Sequence, residues 1–406
     1  MNISSDLKKY KCAACGGLLK FSSQKQRLVC TYCKEEFDVR DYEFGSDAKS
    51  RSTANKIEWD YKTRMFSTYV CKNCGGEVFG DESMASTKCP FCNYPIVISE
   101  RISGFLEPDI IIPFKKNKTI AMDMYREHIK KYKYASDEFK DENHINEIVG
   151  VYIPFWTYDA DVHATLKSTH GTGDNKKCES IYELDVSFKN VPADASNKFD
   201  NDLMDSIEPY DFEEAVPFSP AYMAGYLAQK FDVDEYLCHL RADEKIEQTT
   251  TKLMKNALIK YKIGENNILD WEKTSYSNKY ALLPVWILNT TWQNENYIFA
   301  MNGQMGKMIG DLPADKKKLS RYFWMPIIIF WAVCITIMLL FHNIVVTTIG
   351  IWLLCFMTFD LIVFSWIKTM IKASSTKNVL KSENADDYVI KDSLKFGEKK
   401  SSLGET

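Results

Sequence analysis

The hydrophobic pattern near the end of the chain is the plainest in the sequence. Tyr322–Phe341 holds 20 residues without a charge, and Ile344–Ile367 holds 24 with one, Asp360. Only His342-Asn343 separates the two runs. One unbroken helix over 322–367 would be about 69 Å long, against a hydrocarbon core of about 30 Å. The pattern therefore predicts a transmembrane helical hairpin within 319–372 that turns at His342-Asn343. Lys316, Lys317, Lys318 and Arg321 flank its entry, and Lys368, Lys372 and Lys377 flank its exit; the turn has neither Lys nor Arg. The positive-inside rule then puts both termini in the cytoplasm, as a two-helix multi-pass protein of the cell membrane. Residues 373–406 are rich in Ser, Lys and Glu, which predicts a disordered cytosolic tail. Met1–Lys20 is polar and has no signal-peptide core.

Upstream, residues 105–318 mix periods of two and near four, as a soluble α+β domain does. Asp109–Phe114 (DIIIPF) reads as a short strand limited by Pro113. Thr119–Tyr134 reads as a helix, with Ile120, Met124, His128, Ile129 and Tyr132 on one face. Val151–Asp161 reads as a strand. Ile153-Pro154-Phe155-Trp156 is echoed by Leu283-Pro284-Val285-Trp286, either a duplicated β unit or a coincidence of apolar strand patterns. Residues 219–262 read as helices, and within Asp234–Lys262 the expected buried stripe is Leu237, Leu240, Leu253, Ala257 and Tyr261. Tyr297–Ile309 reads as a hairpin turning at Asn302-Gly303. Its Gly303–Lys307 (GQMGK) lacks phosphate-loop spacing, and Met308 stands where a magnesium-binding hydroxyl would be.

Cysteine placement adds chemistry that the hydrophobic pattern does not show. Of 12 cysteines, eight form two copies of one motif. Cys12-Ala13-Ala14-Cys15 is followed after fourteen residues by Cys30-Thr31-Tyr32-Cys33, and Cys71-Lys72-Asn73-Cys74 at the same spacing by Cys89-Pro90-Phe91-Cys92. Each CxxC turn brings two thiolates to one metal, and two turns complete the tetrahedron that zinc prefers. Gly16-Gly17 and Gly75-Gly76 supply the positive φ that the turn needs. We therefore expect two structural zinc ions per chain, on Cys12, Cys15, Cys30 and Cys33 and on Cys71, Cys74, Cys89 and Cys92. Disulfides and rubredoxin-like iron are the alternatives; disulfides are rare in the cytosol, where the predicted topology puts these thiols. The expected architecture is multidomain: zinc ribbon 1 at 1–45, a spacer at 46–66, zinc ribbon 2 at 67–104, the α+β domain at 105–318, the hairpin at 319–372, and the tail at 373–406.

Other candidate sites are weaker. None of the six His sits in a paired ligand or catalytic motif. His163 and His170, near Asp159 and Asp161, are explained equally well by strand alternation. The acidic run Asp200, Asp202, Asp205, Glu208, Asp211, Glu213 and Glu214 reads as a solvated loop face, with cation or basic-partner binding as the other reading. Asp360 lies eight residues from Lys368, about 12 Å into the membrane. A charge at the centre of a membrane helix costs on the order of 2.5–3.5 kcal/mol, so Asp360 is a candidate partner-binding residue, with an acid that snorkels or is protonated as the other reading.

Zinc ribbons often serve nucleic-acid machinery, but the charge here is poor for it. Residues 1–110 carry 16 Lys plus Arg against 15 Asp plus Glu, and each zinc tetrathiolate adds about −2. Phosphate binding needs a basic footprint, and only Lys8, Lys9, Lys11 and Lys20 form a thin one. A membrane-anchored scaffold for protein partners ranks first, a membrane-tethered nucleic-acid binder second, an enzyme last.

The combination resembles a family of bacterial, largely Firmicute, membrane proteins with two TFIIB-type zinc ribbons, the YdjG-like proteins. The matching strings are Val151–Tyr158 (VYIPFWTY), Asp202–Tyr210 (DLMDSIEPY), Ala281–Trp286 (ALLPVW) and Phe299–Pro313 (FAMNGQMGKMIGDLP). Relatives are often labelled primosomal-helicase-like on the ribbons alone, yet this chain has no Walker A loop. The resemblance implies a membrane-stress setting, with phage-shock protein A or a flotillin-like (SPFH-domain) protein as partner.

Overall fold

The computed structural model describes residues 12–40, 67–71, 74–80, 89–91, 97–98, 108–132, 135–172, 176–259, 261, 266–310, 312, 315–340, 363–365 and 385–402. Two cysteine modules and a mixed helix–sheet body make a multidomain α/β chain. In the first module β1 (Leu19–Ser22), β2 (Arg27–Cys30) and β3 (Glu36–Phe37) form a three-stranded sheet. In the second, β4 (Ser67–Val70) pairs with β5 (Glu77–Gly80) and β6 (Val97–Ile98).

The body is organised on two long strands, β8 (Val149–Thr172) and β12 (Asn266–Trp292), which run antiparallel from Ile287↔Val149 to Asn266↔Thr169. The two echoed strings lie side by side in this pair, with Ile153 opposite Leu283. β7 (Ile110–Ile111) and β10 (Val216–Pro217) extend the sheet beyond β12. β9 (Lys176–Asp194) and β11 (Leu227–Gln229) line the other side of β8. β13 (Glu295–Asn302) and β14 (Met308–Ile309) form the expected hairpin beside β12. Its turn is longer than a two-residue Asn-Gly turn: Asn302 N donates to Lys307 O at 2.9 Å.

The middle of β8 is buried on both faces. Tyr152 and Trp156 face one cluster, together with Leu19, Phe21 and Leu28 of the first module. Val151, Ile153 and Phe155 face another, with Cys71, Cys89 and Phe91 of the second. Strand alternation thus sends neighbouring residues to different modules. The second module joins the body's sheet, where β5 pairs with β11 inside a single 12-stranded sheet, while the first keeps its own three-stranded sheet and packs against the body. The first module is fixed by Phe21 N donating to Ala224 O at 2.9 Å and Gln26 Nε2 donating to Phe114 O at 2.8 Å.

Helix α1 (Lys118–Lys130), capped by Asn117 Oδ1, lies on the first face. It begins where the periodicity predicts and ends earlier. Helix α2 (Asn201–Ser206) lies on the second face. Helix α3 (Glu235–Leu258) corrects two expectations. Residues 219–262 are not helical throughout, because Gly225, at φ +90°, turns the chain into strand β11. The buried stripe is Cys238, Ala242, Lys245, Ile246, Thr249, Thr250, Met254 and Leu258, while Leu237 and Leu240 are about half exposed. An apolar pattern cannot reveal that stripe, because a lysine and two threonines lie on it.

Lys245 is buried because carboxylates surround it. Its Nζ donates to Asp205 Oδ1 at 2.7 Å, Glu208 Oε1 at 3.0 Å and Pro192 O at 3.0 Å. Arg241 Nη2 binds the fully buried Asp194 Oδ1 at 2.5 Å. The acidic run is therefore split. Asp205 and Glu208 are buried against Lys245, whereas Asp200, Asp211 and Glu213 are exposed; Asp200 and Asp211 cap short helices, and Glu214 pairs with Lys115 at 2.6 Å.

The tail departs most from expectation. Residues 385–402 are ordered on the body: β15 (Lys395–Ser402) pairs antiparallel with β9, and Ala385 and Tyr388 are buried. Composition misleads here because backbone pairing needs little apolar surface. Helix α4 (Lys316–Leu340) carries the first apolar run. Among the described residues no helix is long and apolar enough to cross a membrane. Several α4 side chains, Asp360 and nearly all of the second run lie outside the described residues.

Burial pushes Glu208 up from the usual 4.5 to about 8; the Lys245 charge offsets this in part, and Asp205 adds to it. The folded state then holds a proton that the unfolded chain has released, so stability falls as pH rises through that window. Melting temperature should decline from about pH 5 to pH 8 in the wild type. In Glu208→Gln the decline should be shallower, and an equal slope in both proteins would exclude this residue as its source.

Candidate metal centre

Each cysteine module begins with the same turn. Cys12 N donates to Gly17 O at 2.7 Å and Gly16 N to Cys12 O at 2.8 Å; the second module repeats this with Cys71 N to Gly76 O at 2.9 Å and Gly75 N to Cys71 O at 2.8 Å. The turn requires a left-handed residue, and Gly16 and Gly75 supply it at φ +72° and +67°. The second glycine of each pair has a different task. A Cβ on Gly17 would come within 3.1 Å of Cys30 Sγ, and one on Gly76 within 2.4 Å of the Phe91 ring. Those glycines leave room for the second pair of sulfurs to approach.

The sulfurs of Cys12, Cys15, Cys30 and Cys33 all lie within 4.8 Å of one another, as do those of Cys71, Cys74 and Cys89. Cys12 and Cys33 are 3.4 Å apart, Cys15 and Cys30 3.5 Å, Cys74 and Cys89 3.7 Å. A tetrahedral ion with bonds of about 2.3 Å to sulfur separates its ligands by about 3.8 Å. Four convergent thiols at these distances fit such an ion. Cys92, the predicted fourth ligand of the second cluster, lies outside the described residues. The clusters differ in exposure: Cys15 and Cys33 are exposed, whereas Cys71 and Cys89 are buried and Cys74 is half-buried.

The body reaches the second cluster through groups that its own motif does not announce. Lys198 Nζ donates to Cys74 O at 3.0 Å, and Asn289 Nδ2 to Phe91 O at 2.6 Å. Phe91 packs on Phe199 with ring centroids 5.2 Å apart. Local sequence could not single these out, since each lies far along the chain from its partner. The other candidates do not converge. His163 Nδ1 pairs with Asp185 Oδ1 across the strands at 2.7 Å. Asp159 accepts from Asn190 N at 2.8 Å, Asp161 from Ser275 Oγ. The side chain of His170 lies outside the described residues.

A second junction gathers the four family-like strings. Asn302, fully buried, donates from Nδ2 to Ile207 O and Pro209 O, both at 3.0 Å. Gly303 N donates to Pro284 O at 2.8 Å, and a Cβ there would stand 2.6 Å from Phe114 and 2.9 Å from Pro284. Lys307 Nζ donates to Glu208 O at 2.6 Å. The hairpin turn is thus a plug that ties β12 to the 202–210 segment, and it has no phosphate-binding geometry.

Fold and site together define a multidomain α/β protein with two N-terminal cysteine clusters able to hold metal ions. An uncharacterized protein of Bacillus subtilis (strain 168), YdjG, is 30% identical over 325 residues, covering 77% of this chain and 92% of that protein. The chain belongs to the YdjG-like family. No family model matches it, and no solved structure does.

Gly76→Ala should displace Phe91 and open the second cluster while leaving the first intact. Cobalt titration followed by thiolate-to-metal absorption should then show one tight site in place of two; two unaltered sites would contradict the steric argument.

Proposed function

We propose that this chain is a membrane-anchored scaffold that recruits cytosolic protein partners at the inner face of the cell membrane. Its thiol clusters hold two structural zinc ions, and a two-helix hairpin within 319–372 spans the bilayer with both ends cytoplasmic. The observation that carries this reading is the chain's departure from and return to one body. At the entry Lys318 Nζ donates to Ala135 O at 3.0 Å and to Asp137 Oδ1 at 2.5 Å. At the exit Ala385 N donates to Thr249 Oγ1 at 2.6 Å, and β15 continues along β9. An apolar excursion whose two ends dock on one soluble body is what a hairpin with both ends on one side requires. The described α4 side chains agree: Trp324, Met325, Ile328 and Ile329 are each half or more exposed, as they would be against lipid.

Zinc suits the all-thiolate donor set and the closed coordination of a structural site. When bound, the ion supplies cross-links that hold each module's turns together. A scaffold role, with no catalytic task, fits two metal sites built into a sheet. The family resemblance supplies the setting, a membrane-stress response, and the partner classes, phage-shock protein A or a flotillin-like protein. Asp360 belongs to this proposal as a contact inside the bilayer.

Purification of the full chain in mild detergent, with partner identification, tests the scaffold. Recovery of a phage-shock-type or flotillin-like protein, weakened by Asp360→Asn, is expected; reproducible recovery of nucleic acid instead would favour the membrane-tethered nucleic-acid binder. For topology, a cysteine at position 343 should react with an impermeant maleimide added to intact cells, and one at position 406 should not. The reverse pattern would overturn the cytoplasmic assignment. Elemental analysis should return two zinc ions per chain; iron, or no metal, would sink the zinc reading.

A further inference from the structure

The returning segment 385–402 is attached unevenly. Most of it is shallow. Ile390, Lys391, Asp392, Leu394, Lys395, Gly397 and Glu398 are exposed, and Phe396 is only half-buried. β15 holds the body mainly through its backbone ladder, from Lys395↔Asp185 to Ser402↔Cys178. Segments with few buried contacts and exposed backbone bonds open at low cost without the rest of the fold.

Two residues, by contrast, reach deep. Ala385 is fully buried, and its N donates to Thr249 Oγ1 at 2.6 Å. Tyr388 is buried near the Glu208 carboxyl, and its hydroxyl accepts from Tyr210 N at 3.3 Å. Glu208 belongs to the buried Asp205–Lys245 cluster, and its backbone carbonyl is held by Lys307 of the hairpin plug. Between the anchor and the ladder, Ile390 N donates to Ser187 O and Ser187 N to Ser393 Oγ, both at 2.9 Å. The same segment follows the second apolar run in sequence, after residues 368–384.

We infer that residues 385–402 are a displaceable clasp, with Tyr388 as its catch. When docked, it closes the outer edge of β9 and supplies the acceptor for the Tyr210 N–H. When withdrawn, it uncovers the β9 edge over Cys178–Asp185 as a template for strand pairing. It also leaves the buried Tyr210 N–H without its acceptor. The inference rests on the membrane reading only for what would pull the clasp, namely displacement of the second apolar run. Docking and release are properties of the body itself.

Tyr388→Phe removes the catch and keeps the ring. In detergent-solubilised full-length protein, amide hydrogen exchange over 178–188 and 388–396 should rise roughly tenfold, the usual scale for a lost buried hydrogen bond. Exchange in α1 and along β12 at 281–288 should stay unchanged. A fluorescent peptide copying residues 385–402 should bind the variant and leave the wild type unlabelled. Exchange rising evenly over the whole body would make Tyr388 an ordinary core residue and overturn the clasp. Unchanged exchange with no peptide binding would overturn it as well. Because neither readout requires a bilayer, failure here is distinct from failure of the topology experiment.

Discussion

The structure depends on one strand, β8, being covered on both faces. A strand buried on one side needs one partner layer; β8 needs two, and the chain supplies them from its distant N-terminal part. Leu19, Phe21 and Leu28 cover the side of Tyr152, while Cys89 and Phe91 cover the side of Ile153 and Phe155. Burying side chains of this size stabilises by about 1.5–3 kcal/mol each. The cysteine modules thus double as the walls of the body's core. Whatever holds their turns closed also holds the sheet.

The second organising device is polar. Asn302 and Gly303 turn a surface hairpin inward, and the 202–210 segment receives it through backbone carbonyls. Just behind lie Lys245, Asp205 and Glu208. Groups of this kind stabilise only when fully paired, and removing one partner typically costs about 3–5 kcal/mol. That cost explains why Asp205 and Glu208 of the acidic run belong to the interior. The run is no single face: Asp205 and Glu208 both answer Lys245, Glu214 answers Lys115, and Asp200 and Asp211 cap short helices.

Much of the local architecture was legible in the sequence. The two CxxC pairs with equal spacing placed the clusters, glycine pairs placed their turns, and strand-like strings placed the first half of β8 and the hairpin, while β9 and most of β12 went unread. What escaped was decided by tertiary partners. The α3 stripe was misread because Lys245 counts as polar in any pattern, yet it is buried by acids about 40 residues away in sequence. The tail was misread because a strand made of Lys, Glu and Ser acquires order from its neighbour's backbone. Docking of the modules onto the body rests on Phe21, Phe91 and Asn289, residues that carry no local signature.

Neighbouring residues of β8 answer to different modules, and this has a consequence for biosynthesis. A strand buried on one face tolerates a slipped register until its apolar side meets water. Here a slip of one residue would turn Tyr152 toward the second module and Ile153 toward the first, so both docking surfaces would be wrong together. The two clusters therefore act as independent proofreaders of a single alignment. A chain whose two modules have not closed lacks both checks at once, and long strands left free to mispair are a route to aggregation. Closure of two small cysteine modules thereby bears on the yield of the whole body.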